Sequence, residues 1–447
     1  MERDVTTGNI WKTVLAFSLP YLFAYFLQTL YGMADLFIIG QFNGVESTTA
    51  VAIGSQAMHM ITCVIVGLAM GSTVIIGQAV GAKKKEQAAE AIGNTILLFM
   101  GVALAAMLVL LLSVRQIVEI LATPEEAVHG TILYLAICFV GIPFITAYNI
   151  IGSVFRGLGD SRTPMYFIAV ACAANILLDY LFIGGMQLGA VGAALGTVLA
   201  QTLSVLISIM VIRKRETGIP FNRDCLKFQK GIMKRILQIG IPIALQDGFI
   251  QIGFLIITIF ANMRGIDDAA AVGIVEKMIS LLFLVPSSML QTVSALAAQN
   301  IGAGRYDRAK EILQKALIIT VGWGILAMLV VEPTAPQLIS LFTDRKEVVV
   351  SGAQYLRPYV VDVMCAGIHF SFSGYFCACG RAELSFIHNM ISNFGVRIPG
   401  TWFMSRHFLT TLLPMGIVTP TGSVVSGLIC LIAYLGMNKK SKGVELQ

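Results

Sequence analysis

The run Met165-Tyr-Phe-Ile-Ala-Val-Ala-Cys-Ala-Ala-Asn-Ile-Leu-Leu-Asp-Tyr-Leu-Phe-Ile183 decides how this chain is read. It is apolar and long enough to cross a bilayer as a helix, which takes roughly 20 residues. It is also interrupted, by Asn175 and Asp179. A carboxylate at that depth costs about 2.5–3.5 kcal/mol on insertion scales, so it marks a site or has a partner. The two polar residues are four apart and share one helical face. A second buried acid, Asp35, falls inside the first apolar run. The expectation is that the chain is organised around this small polar site, and that the site binds a cation that drives transport.

The rest of the chain has the same character. Of its 447 residues, 56% are hydrophobic and 13% charged, and the mean hydropathy is +0.80. Soluble domains carry roughly 25% charged residues. Apolar runs near helix-spanning length, separated by short polar segments, indicate an all-α multi-pass membrane protein. A barrel would show short alternating segments instead. The first twelve residues are mixed in charge and lead straight into a full span, so no cleavable signal is expected. The net charge of +6 is not a nucleic-acid signal, because the basic residues sit in loops on one side. The eight Cys show no metal or disulfide spacing, and Cys377 and Cys379 read as small packing residues.

Twelve spans are expected: Val14–Ile39, Val51–Val80, Ile92–Leu112, Ile132–Phe155, Met165–Ile183, Val191–Ile212, Ile236–Ala261, Val272–Gln299, Leu313–Val331, Gln354–Cys379, Phe386–Phe403 and Leu412–Gly436. The longest loop joins the sixth and seventh and carries Arg213, Lys214, Arg215, Arg223, Lys227, Lys230, Lys234 and Arg235. About 22 of the 31 basic residues fall on the side of this loop and of both termini. The opposite side has Arg115, Arg264, Arg345, Lys346 and Arg406. The positive-inside rule places the basic side and both termini in the cytoplasm of a cell membrane.

An internal repeat is visible at an offset of about 221. Leu19-Pro20 is echoed by Ile241-Pro242, Gln78 with Gly81-Ala82 by Gln299 with Gly302-Ala303, and Phe155 and Gly159 by Phe376 and Gly380. Residues 1–215 and 236–447 then form two parallel six-helix lobes joined by a basic cytoplasmic linker, 216–235. Such repeats are a transporter signature. Pro20 and Pro242 lie in the first span of each lobe, where a missing N–H permits bending; Pro20 is a candidate hinge.

The acids break the repeat. Asp35 corresponds to Ile257 and Asp179 to about Pro399. A purely architectural acid would more naturally be duplicated, so the site is assigned to the N-terminal lobe. The sixth span adds Thr197 and Gln201, again on one face. Two carboxylates, an amide and a hydroxyl suit a hard cation such as Na+. Two adjacent carboxylates removed from water also tend to share a proton. Both coupling ions stay open. The C-terminal half offers Gln246, Asp247 and Gln251 in span seven, and Glu276 and Lys277 in span eight, as secondary or substrate-contacting candidates. Lys277 can pair with Glu276 or Asp247, or reach the interface. Asp362 reads as interfacial; His59, His369 and His388 read as hydrogen-bonded packing residues. Arg397 needs an acid or a water path that the sequence does not identify. No Walker motif and no catalytic constellation is present, so neither direct ATP use nor an enzyme is expected. No cofactor is expected beyond the coupling ion.

The pattern resembles the MATE family, the multidrug and toxic compound extrusion transporters. The resemblance rests on Ser18-Leu19-Pro20 with Asp35 and Gly40, Gly77-Gln78 with Gly81-Ala82, and Phe155-Arg156-Gly157-Leu158-Gly159-Asp160 with Pro164. It continues through Asn175 to Asp179 and Gly189 to Thr197. It implies two six-helix lobes forming a V, and alternating access exporting small amphiphilic organic cations in exchange for Na+ or H+. The expected working unit is a monomer in the bilayer. The family's N-lobe cation site maps onto Asp35, Asn175, Asp179 and Thr197. One branch carries a coupling Glu in span seven, where this chain has Gln251. A flippase for lipid-linked substrates, from the related superfamily, is the nearest rival; Lys277 and Arg397 are the residues that favour it.

Overall fold

The computed structural model of the chain describes residues 5–214, 220 and 223–444. Arg215, linker residues 216–219 and 221–222, and the extreme termini lie outside the described residues. The rest is helical, with no strand among the described residues. The helices are α1 (Ile10–Phe42), α2 (Val45–Gly81), α3 (Lys85–Leu112), α4 (Val114–Ile120), α5 (Glu125–Gly157), α6 (Arg162–Asp179) and α7 (Gly189–Lys214). Next come α8 (Lys230–Asn262), α9 (Ile266–Leu282), α10 (Leu284–Gly302), α11 (Tyr306–Ser340), α12 (Lys346–Ala378), α13 (Ala382–Met390), α14 (Ile398–His407) and α15 (Leu413–Val444).

Eleven helical segments among the described residues are long and apolar enough to cross a membrane. The remaining expected span, the eleventh, is also helical, running from α13 through a wide π turn (Ile391–Arg397) into α14. His388, Asn389, Ser392, Asn393 and Arg397 make it too polar to pass the same test. Pro399 has no N–H for the carbonyl one turn back, which favours a widened turn just before it. A second π turn, Tyr180–Gly185, follows α6. The eighth expected span is divided between α9 and α10 at Phe283. Pro286 cannot donate to Leu282, and the freed Leu282 carbonyl instead accepts the Trp323 indole N–H at 2.9 Å. α1 runs unbroken through Pro20. The last six residues of the expected linker, 230–235, are the first turns of α8. The chain just before them is fastened to α3, where Asn94 Oδ1 accepts the Gln229 backbone N–H at 2.8 Å.

The chain divides into two compact units. Unit 1 holds Ala16–Gly240 with Gly302–Gly304 and the described residues before Gly8. Unit 2 holds Gly8–Leu15, Ile241–Ile301 and the chain from Arg305 onward. In unit 1, α5 packs against α2, α3 and α7, and α6 against α7. The core includes Ile38, Val51, Tyr134, Leu135, Phe139, Ile142 and Ile183. In unit 2, α12 is central, against α9, α11 and α15, around Val275, Ile339, Tyr355, Tyr359 and Val363. Helices without a hydrophobic drive between them associate through close contact at small residues. Gly324 and Gly367 do this in unit 2: a methyl on either would collide with Met364 or Thr320 of the facing helix. Large apolar side chains such as Leu108, Val109, Leu206, Leu329 and Ile432 stay exposed, as a lipid-facing surface requires.

Candidate functional site

Asp35, Asn175, Asp179, Thr197 and Gln201 are gathered inside unit 1. Asp35 projects from α1 and is 4% exposed; Asn175 and Asp179 occupy the last turns of α6 and are 2% and 0% exposed. Thr197 and Gln201 come from α7. Thr197 Oγ1 donates to Asp35 Oδ2 at 3.4 Å. Asp179 and Asn175 also lie close enough to Asp35 to interact with it. Yet Asp35 Oδ1, both Asp179 oxygens, both polar atoms of Asn175 and Gln201 Oε1 have no hydrogen-bond partner. No Lys or Arg is among the groups acting on either acid. Buried polar atoms are normally satisfied, and a buried charge is normally paired. Here most of the orphaned atoms are oxygens.

The local sequence explains the placement. Asp179 ends α6 where the backbone widens into the π turn, a distortion frequent at functional sites. Opposite it on α7 stands Gly196, and any Cβ there would collide with Asp179 Oδ1. Glycine therefore admits the carboxylate against α7 and puts it beside Thr197. The apolar core of Tyr134, Cys138, Phe139 and Ile183 lies against this region and excludes water. No cluster of three or more His, Cys, Asp or Glu suited to a resident metal occurs among the described residues. The site has two acids supplemented by neutral oxygens, which suits a transient monovalent cation or a shared proton.

Sequence reasoning missed two contributors. Tyr31, one turn before Asp35, is within hydrogen-bonding reach of Gln201 and feels the Asp35 charge. Its spacing of four from Asp35 was the available signal. Tyr134 of α5 lies within the electrostatic reach of both acids, a proximity across helices that spacing alone does not reveal.

The C-terminal candidates separate. Gln246 Oε1 accepts from Ser385 Oγ at 2.8 Å, and Gln246 Nε2 reaches Asp247 Oδ1 at 3.5 Å. Gln251 is half-buried farther along α8. Glu276 Oε2 accepts from Thr258 at 3.5 Å, while its Oε1 has no partner. Lys277 is exposed and makes no ion pair among the described residues; as the neighbour of Glu276 it points to another face. Asp362 is not interfacial. It is 0% exposed and receives Arg397 Nη2 at 3.1 and 3.3 Å, which also supplies the acid that Arg397 required. His388 lies between Ser373 (2.9 Å) and Ser426 (2.6 Å), and His369 contacts Ser423 at 3.3 Å. His59 is exposed beside Cys63. No cysteine, Cys377 and Cys379 included, forms a disulfide among the described residues.

Comparison with known proteins follows the repeat. The MatE family profile matches twice, at residues 20–181 and 242–403. Over 447 residues the chain is 26% identical to the probable multidrug resistance protein YoeA of Bacillus subtilis, covering 98% of this chain and 96% of that one. It is 25% identical over 400 residues to the multidrug export protein MepA of Staphylococcus aureus, covering 89% and 88%. A crystal structure of MATE in the bent conformation superposes with a TM-score of 0.92 at 21% identity, over 99% of this chain and 98% of the other.

Proposed function

The chain belongs to the MatE family of membrane transporters, and from that premise we propose that it is an ion-driven antiporter exporting small amphiphilic organic cations. It is a transporter and not an enzyme. The coupling cation, Na+ or H+, binds at Asp35, Asn175, Asp179 and Thr197. The observation that carries this reading is a pair of buried carboxylates with no cationic partner, on α1 and α6 of unit 1, beside the orphaned amide of Asn175. The names of YoeA and MepA support the multidrug character of the cargo. The flippase alternative loses its supports: Lys277 lies exposed, and Arg397 is already engaged by Asp362.

Coupling follows from differential affinity. A ligand shifts a conformational equilibrium only by the difference in its affinity for the two states. With the acids charged and empty-handed, α1 and α6 hold like charges together; a bound cation relieves that repulsion and favours close packing of α1, α6 and α7. Pro20 lies on the same helix as Asp35 and is the proposed hinge through which α1 responds. Gln201 and the C-terminal acids Asp247 and Glu276, with Gln246, Gln251 and Lys277, are assigned secondary or substrate-facing roles. The protein works as a monomer in the cytoplasmic membrane with both termini inside the cell, as the loop charges require.

The test uses purified protein in liposomes loaded with ethidium. A Na+ gradient and a proton gradient are imposed in turn on wild type, Asp35→Asn and Asp179→Asn. One gradient should drive ethidium movement in wild type and fail in both variants. Wild-type rates in both variants would refute the assignment.

A further inference from the structure

Unit 2 also buries an acid, but it supplies its own cation. Asp362 on α12 is matched by Arg397, whose Nη2 donates to both carboxylate oxygens and to Ser423 Oγ of α15 at 2.7 Å. All three bonds use Nη2, while the buried Arg397 Nε has no partner. Arg397 closes the π turn, and Gly422 of α15 lacks the Cβ that would collide with Arg397 Cγ. Tyr355 and Tyr359 lie on the same helix, α12, as Asp362. His369 of α12 contacts Ser423, and its ring meets His388 of α13 at 5.5 Å. One guanidinium thus stands against one buried acid, Asp362. The acids of unit 1 have no such partner.

We infer that Arg397 is a tethered counter-ion that keeps the coupling cation off Asp362 of unit 2 and so sets how many ions the transporter takes per cycle. The inference rests on the ion-coupled reading above. A small cation approaching Asp362 finds both oxygens already used and meets the like charge of Arg397. Arg397 is therefore a specificity-determining residue for ion stoichiometry. Without its charge, Asp362 would be left as a buried acid with no cationic partner, as Asp35 and Asp179 are.

The experiment counts bound cation on purified, full-length protein. Radioactive Na+ retention and proton uptake in unbuffered detergent solution are measured on wild type, Arg397→Gln and Arg397→Gln/Asp362→Asn, with thermal melts to establish folding. Arg397→Gln should bind about one further equivalent of the cation that wild type binds, and the double variant should lose it again. A folded Arg397→Gln with the wild-type count, or an extra equivalent that survives Asp362→Asn, would overturn the inference. Should Arg397→Gln fail to fold, Arg397→Met/Asp362→Leu removes both charges together, a change that buried ion pairs often tolerate. That variant should keep the wild-type count; loss of cation binding from it would overturn the inference. If wild type binds no cation, the unit 1 site is what fails. Arg397→Gln would then still decide the inference, by gaining about one equivalent or none.

Discussion

Replacing Gly196 by Ala tests the geometry of the unit 1 site without removing a single donor or charge. The new methyl would land on Asp179 Oδ1 and within 3.6 Å of the Asp179 backbone nitrogen, so the side chain is what must give way. Holding a side chain about 30° off its rotamer costs about 0.5–1.5 kcal/mol. A carboxylate moved from about 4 to 5 Å from a cation loses roughly 0.8 kcal/mol at an effective dielectric of 20, where the interaction falls from about 4 to 3.3 kcal/mol. Together these weaken cation binding by about 1.5–2 kcal/mol, or roughly 10- to 30-fold. The assay is the half-saturating concentration of the driving ion for ethidium transport in proteoliposomes. Gly324→Ala is the control: it collides with Met364 in unit 2, so overpacking should cost about 1–3 kcal/mol of stability there. Its ion half-saturation should stay at the wild-type value. If Gly196→Ala shows wild-type half-saturation while melting like Gly324→Ala, Asp179 does not hold the ion and the argument fails.

Other expectations follow from single contacts. Tyr31→Phe removes the hydroxyl within reach of Gln201 and should weaken ion half-saturation by about fivefold, the equivalent of about 1 kcal/mol, with little change in melting temperature. Arg264 is 4% exposed at its side chain, and joins Asp268 at 2.8 Å to the carbonyls of Ser405, Phe408, Leu409 and Thr411. Arg264→Met should cost about 3–5 kcal/mol by chemical or thermal unfolding; a loss under 1 kcal/mol would show that the clamp is dispensable. Trp323→Phe leaves the Leu282 carbonyl unsatisfied at the α9–α10 break and should cost about 1–3 kcal/mol, measured in the same way.

The span pattern was legible because membrane helices must be apolar along their whole length, and the repeat because both halves kept Leu/Ile-Pro, Gln, Gly-Ala and Phe at one offset. The acids were legible because charge at that depth has few bland explanations. What spacing could not reveal were partners on other helices. Asp362 reads as interfacial until Arg397 is placed beside it, and Arg397 is unexplained without Asp362; they are far apart in sequence and on different helices. The π turns were equally hidden, since Tyr180–Gly185 looks like ordinary apolar helix and only its position after Asp179 gives it meaning. The break at Phe283 was partly signalled by Pro286, but the indole that satisfies Leu282 lies on another helix. Gly196 could be quoted from the sequence, yet its role needs the facing carboxylate to be seen.

The most direct measurement of the central claim is equilibrium cation binding to purified wild type, Asp35→Asn and Asp179→Asn, without substrate or gradient. Removing one of two charges at about 4 Å takes away up to about 4 kcal/mol at an effective dielectric of 20. Saturable binding of Na+ or of protons in wild type, weakened tenfold or more in each variant, is the result expected. Undiminished binding in both variants would contradict it, because the ion would then be held somewhere other than the acids of α1 and α6.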